Sequence, residues 1–239
     1  MIKFPSMTST EITEKLAGLR ERIARAAARV ERDASDVMLI AVTKTQPVET
    51  IREALDAGLN TFGENRVQEW ESKRGEFSGD AVRCHLIGHL QSNKARKAAA
   101  IFDRVDSLDS VPLAHKLDAA AAEAGKRLGV LIEVHLSGEE SKSGVSESDL
   151  DALTNAVRGF TNLKLEGLMT VPPFFENVEQ VRPYFRRLRE LRENLRARTG
   201  LPLPVLSMGM SHDFELAIEE GATEVRLGSA LFGERAKKA

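Results

Sequence analysis

The sequence predicts an α/β fold, a single (β/α)8 barrel of TIM type preceded by one extra helix. Apolar runs of strand length, such as residues 37–42, are continuous rather than alternating. That pattern belongs to strands buried on both faces of a parallel sheet. A helical stretch follows each run, and alternation of strand with helix implies parallel pairing. The count of such units reaches eight, which favours a closed barrel over an open sheet.

Each element has its own signal. Thr8 and Glu11 can form a capping box, after which Ile12, Leu16, Leu19, Ile23, Ala27 and Val30 recur at helical spacing. The run 37–42 is the first strand. Val48, Ile51 and Leu55 mark a helix that Gly58 ends as a left-handed cap. The strand Thr61, Phe62, Gly63 leads to a helix over 65–74, and a strand over 82–87 to a helix over 92–100. A strand around Val105 leads to an alanine-rich helix over 111–126. A strand over 130–136 precedes a helix starting near Ser146. A strand over 164–171 feeds a long helix over 178–198. The short strand 204–206 feeds a helix over 211–220, and the last strand, 224–227, leads to a short helix from Ser229. No Gly/Ser/Pro-rich linker divides the chain, so residues 1–239 are read as one domain, with 1–8 as a flexible N-terminal extension.

Composition narrows the function. The chain of 239 residues suits a barrel of ~250. Basic and acidic residues balance at 34 and 36, against a general nucleic-acid coat protein. The single cysteine, Cys84, forms neither an internal disulfide nor a Cys-rich metal site. No secretory signal opens the chain and no run of ~18 apolar residues follows. A cytoplasmic chain without membrane or nucleic-acid partners is expected.

Barrel chemistry sits at the C-terminal ends of the strands. Lys44 follows the first, most apolar strand. A lysine partly desolvated in a barrel mouth offers a neutral amine, which can form a Schiff base with an aldehyde. The alternative is a lysine that snorkels to solvent. Lys94 and Lys142 are rival candidates without the apolar strand context. The segment 207–211 (Ser-Met-Gly-Met-Ser) opens one helix and the segment 226–229 (Arg-Leu-Gly-Ser) opens another. Helix N-termini after strands seven and eight bind phosphate in such barrels. Ser211, Gly228 and Ser229 are therefore candidate phosphate ligands, facing Lys44 across the mouth. One ligand with an aldehyde and a phosphate on a flat ring is pyridoxal 5′-phosphate. Arg226 would point inward near that ring, and a guanidinium cannot accept a proton from the pyridine nitrogen. The ring would then be a poor electron sink. The five histidines suggest no metal site, since His85 and His89 straddle a strand–loop break.

Seven stretches carry a resemblance: 41–44 (AVTK), 62–69 (FGENRVQE), 85–94 (HLIGHLQSNK), 141–144 (SKSG), 167–170 (GLMT), 206–211 (LSMGMS) and 225–233 (VRLGSALFG). With them the chain resembles the pyridoxal phosphate homeostasis proteins, which are similar to the N-terminal domain of alanine racemase. The resemblance implies a (β/α)8 barrel holding pyridoxal 5′-phosphate on Lys44. It places the phosphate on Ser211, Gly228 and Ser229, Arg226 beside the pyridine nitrogen and Asn65 near the ring. Arg66 and Ser229 stand where family members often have tyrosine and threonine.

Two functions stay open at this point. One is a carrier that buffers the cofactor, supplies pyridoxal-phosphate-dependent apoenzymes and has no turnover of its own. The other is an amino-acid racemase. A two-base racemase of the related fold takes a tyrosine from a second domain. The one tyrosine here, Tyr184, lies inside the long helix, which favours the carrier. A monomer is expected. The same helix holds Arg182, Arg186, Arg187, Arg189, Arg192, Arg196 and Arg198, read either as a solvated outer face or as a docking surface for nucleic acid or an acidic partner.

Overall fold

The computed structural model describes residues 8–77, 82–136 and 143–233. Residues 1–7 of the expected N-terminal extension, and Ser141 and Lys142, lie outside the described residues. Eight strands close into a barrel in sequence order: β1 (Met38–Val42), β2 (Thr61–Glu64), β3 (Arg83–Leu86), β4 (Arg104–Leu108), β5 (Leu128–Glu133), β6 (Leu163–Met169), β7 (Val205–Met210) and β8 (Glu224–Leu227). Every neighbouring pair is parallel, and β8 returns to pair with β1. Around them run α1 (Ser9–Ala28), α2 (Val48–Asp56), α3 (Val67–Lys73), α4 (Ala95–Ile101), α5 (Val111–Glu123), α6 (Leu150–Arg158), α7 (Arg182–Thr199), α8 (Phe214–Glu219) and α9 (Ser229–Phe232). No helix among the described residues is long and apolar enough to cross a membrane.

The extra helix α1 starts with the expected capping box between Thr8 and Glu11. It stops at Ala28, so Val30 falls off its apolar face and is exposed. Several other boundaries differ by a few residues, four of them for clear local reasons. Arg66 is extended (φ −135°), so α3 begins at Val67 and Asn65 stays in a loop. Beyond β5, the Val134 and His135 amides donate to Met169 and Val145 carbonyls, so the strand ends at Glu133 with one further bridge. Pro183 has no N–H to donate to the residue 179 carbonyl. The segment Val178–Val181 is accordingly a 3-10 turn, and the α-helix begins at Arg182. Strand β7 runs on to Met210, and α8 begins only at Phe214. Gly209 makes this corner possible. Its φ is +93°, and a Cβ there would lie 2.6 Å from Ala217 Cβ.

Two cores result. Between barrel and helices, Phe62, Cys84, Val105, Phe185 and Phe214 are fully buried. Burial pushes the Cys84 thiol well above its usual range, as suits a small core residue. Inside the barrel, charged groups pack beside apolar ones such as the fully buried Ile40. Arg104 of β4 donates to both carboxylate oxygens of Asp106 and reaches across the barrel to both of Glu224 on β8. Burial raises the Asp106 carboxyl, but Arg104 outweighs it and leaves the group below its ordinary value.

The seven arginines of α7 are each paired with a carboxylate. Arg182 meets Glu179 and Glu219, Arg186 and Arg189 meet Glu220, and Arg187 meets Glu147. Arg192 and Arg196 meet Glu193, and Arg198 meets Asp151. This neutralisation favours the solvated outer face over a docking surface for nucleic acid or an acidic partner.

Removing one partner of a buried ion cluster leaves uncompensated charge. Arg104→Met is expected to cost about 3–5 kcal/mol in urea denaturation at pH 8. A cost below about 1 kcal/mol, the range of exposed pairs, would contradict the bridging role.

Candidate functional site

The C-terminal ends of the strands surround a cavity of about 540 Å³. Lys44, Asn65, Ser211, Arg226, Gly228 and Ser229 all line it. They come from four contiguous strands in the order β7, β8, β1, β2. The phosphate candidates therefore do not face Lys44 across the mouth, because β8 is β1's neighbour. Register pairs Ala41 with Leu227, so the loops bearing Lys44 and Gly228 leave the barrel side by side. Lys94 does not line the cavity, and its ammonium meets Gln68.

Arg226 points into the barrel and is 4% exposed. Its guanidinium donates to Ser207 Oγ at 2.7 Å and to the Thr170 carbonyl at 2.8 Å. Burial lowers its pKa from the ordinary arginine value, while Asp106, Glu133, Asp213 and Glu224 counter that. An arginine starts so far above neutrality that it stays charged. Glu133, at the end of β5, has no such margin. Burial raises it and Arg226 only partly opposes this, leaving a pKa of about 7.

Ser211 does not open a helix, as α8 begins three residues later. Its hydroxyl instead bridges to the start of α9, accepting from the Gly228 and Ala230 amides at 3.2 and 3.1 Å. Hydroxyl, amides and the exposed Ser229 thus form one polar corner of the cavity. Asn65 is held by a close backbone approach. A Cβ on Gly88 would lie 2.5 Å from the Asn65 carbonyl oxygen, so only glycine fits at 88. Val42, Ile87 and Met210 supply apolar wall.

Sequence reasoning gave no role to the residues packed around Lys44. Glu64 ends β2 fully buried, and Lys73 and Glu69 of α3 lie against the Lys44 loop. Thr45 has φ +66°, a left-handed conformation that costs a non-glycine residue roughly 1–2 kcal/mol. The sequence signal was a glutamate directly after an apolar strand. Sequence reasoning also missed that His85, Asp106 and Glu224 place ligand-type atoms within 4.8 Å of one another. Arg104 already donates to both of those carboxylates, and burial lowers the His85 pKa. His212 lies at the rim, within hydrogen-bond distance of the Phe175 carbonyl, and His115 is on a helix surface. Tyr184 packs on Phe175 and does not line the cavity.

Comparison with known proteins decides the family. Residues 15–236 match the family described as alanine racemase, N-terminal domain. The pyridoxal phosphate homeostasis protein of Aquifex aeolicus is 46% identical over 222 residues, covering 93% of this chain and 97% of its own. That of Pseudomonas aeruginosa is 45% identical over 225 residues, covering 94% and 96%. The chain belongs to the pyridoxal phosphate homeostasis protein family. PipY of Synechococcus elongatus PCC7942, solved with PLP bound, superposes with a TM-score of 0.83 at 39% identity. It covers 93% of this chain and 100% of its own. Alanine racemase of Clostridium difficile 630 matches at TM-score 0.73 and 15% identity, and shares the barrel fold.

Glu133 gives this family member a testable pH dependence. A carboxyl raised in the folded state binds more protons there than in the unfolded chain. Its contribution to stability is lost as pH rises from the usual glutamate range through about 7. Melting curves of Glu133→Gln are expected to gain on wild type between pH 5 and pH 8. A constant difference across that range would contradict the assignment.

Proposed function

We propose that this chain binds pyridoxal 5′-phosphate on Lys44 and keeps it available as part of intracellular pyridoxal phosphate homeostasis, with no turnover of its own. The observation that carries this reading is one cavity lined by a lysine, a buried guanidinium and the Ser211–Gly228–Ser229 corner. The cofactor, when bound, supplies an aldehyde that condenses reversibly with an amine and releases water. Every other part of the work falls to the chain. Lys44 offers the amine. The hydroxyls of Ser211 and Ser229 suit a phosphate, and the Gly228 and Ala230 amides that donate to Ser211 Oγ leave its proton free to point at one. Val42, Ile87 and Met210 suit the faces of a flat ring, and Asn65 its edge.

Arg226 argues for holding over turnover. Two of its donors are committed to Ser207 and Thr170, which fixes the guanidinium in place. A fixed, permanently charged donor beside a pyridine nitrogen cannot protonate it and keeps the ring a weak electron sink. A two-base racemase of the related fold needs a second base on the opposite ring face. Tyr184 lies outside the cavity and does not supply one. Recipients would be apoenzymes that require this cofactor, reached from a cytoplasmic monomer.

The test is uptake of pyridoxal 5′-phosphate, followed by borohydride reduction and peptide mapping. The expected result is a visible absorbance band and a reduced pyridoxyl group on Lys44, both lost in Lys44→Ala. Ser211→Ala is expected to weaken uptake about tenfold, the worth of one charge-assisted hydrogen bond. A reduced group on Lys94, or no uptake, would overturn the reading. Interconversion of L- and D-alanine, lost in Lys44→Ala, would replace the carrier with the racemase.

A further inference from the structure

The loop that carries Lys44 is tied down on both sides by charged residues for which the proposed cofactor binding has no use. Glu64 Oε1 accepts the Thr43 hydroxyl at 2.9 Å and the Lys73 ammonium at 2.9 Å. The same ammonium donates to the Thr43 backbone carbonyl at 3.1 Å and to Glu69 Oε1 at 2.8 Å. Glu69 Oε1 also accepts the backbone N–H of Thr45. The residues immediately before and after Lys44 therefore hang on one ammonium and two carboxylates.

Fold stability alone does not call for this arrangement. A buried ion cluster is often no more stabilising than a well-packed apolar one. Here it is spent on backbone atoms of one turn. That turn also needs holding, because Thr45 sits at φ +66°. A threonine released from that conformation relaxes to negative φ, which turns the adjoining peptide and redirects its neighbours. Lys44 shares that peptide.

We propose that Glu64, Lys73 and Glu69 are positioning residues that fix the backbone around Lys44 so that its amine enters the cavity. This proposal rests on the reading of Lys44 as the residue that bonds the cofactor. The clamp touches neither the phosphate corner nor Arg226. It therefore governs the covalent part of binding and leaves the noncovalent part alone.

Glu69 is the residue to change, since it lies on the outer side of the cluster and its side chain is 21% exposed. Two ligands separate the two parts of binding. Pyridoxal 5′-phosphate can bond an amine, whereas pyridoxine 5′-phosphate carries an alcohol in place of the aldehyde and cannot. In Glu69→Ala, affinity for the aldehyde is expected to fall about tenfold or more, while affinity for the alcohol stays within about twofold. Deuterium exchange at the Thr45 amide is expected to speed up by about tenfold or more. Glu69→Gln keeps an acceptor oxygen and is expected to restore both readouts. Lys73→Met, checked for folding by its melting curve, is expected to shift them in the same direction as Glu69→Ala. Equal loss of both ligands would show a merely structural effect and overturn the proposal. Unchanged aldehyde affinity or unchanged Thr45 exchange in Glu69→Ala would overturn it too. A wild-type chain that takes up neither compound would overturn the cofactor reading beneath it, an outcome distinct from any produced by the variants.

Discussion

The pairing of the last strand with the first organises this molecule. Parallel β8 lies against β1, with Met38 through Ala41 beside Glu224 through Leu227. Parallel strands send their following loops out at the same end of the barrel. Closure therefore brings the turn after β1 next to the start of α9, although the two lie near opposite ends of the chain. The lysine and the amide-rich corner become neighbours for this reason alone. An open sheet with the same strands would leave them at separate edges.

Closure also creates an interior, and this interior is charged. Arg104 spans it from β4 to Glu224 on β8. Arg226, one layer nearer the mouth, is held between Ser207 of β7 and Thr170 just beyond β6. Carboxylates from several strands surround the two guanidiniums and keep their burial tolerable. The cavity thus has a rigid cationic floor, an apolar wall and a polar corner. Such a site suits the retention of an anionic, flat, carbonyl-bearing ligand.

Much of this was legible in the sequence, and the reasons differ by element. The continuous apolar run of β1 and the capping box of α1 are local signals, and both lie where expected. The last residues of β7, Ser207 to Met210, read as the opening of a helix, yet they continue the strand, and Gly209 turns the chain with a positive φ. Five of the candidate site residues could be named because barrel chemistry gathers at strand ends, and Asn65 through the family resemblance. Their arrangement could not, since adjacency depends on closure. The Glu64–Lys73–Glu69 cluster was hidden more deeply. Glu69 and Lys73, spaced i and i+4, look like an ordinary surface pair on a helix. Only the burial of Glu64 turns them inward.

The central claim is that one cavity, assembled by the β8–β1 closure, holds the cofactor at both ends. A crystal structure of the chain grown with pyridoxal 5′-phosphate tests it most directly. The account predicts continuous density from Lys44 Nζ to the cofactor, with the phosphate against Ser211, Gly228 and Ser229 and Arg226 beside the ring nitrogen. A cofactor bonded to another lysine, or a phosphate lodged away from the start of α9, would contradict it.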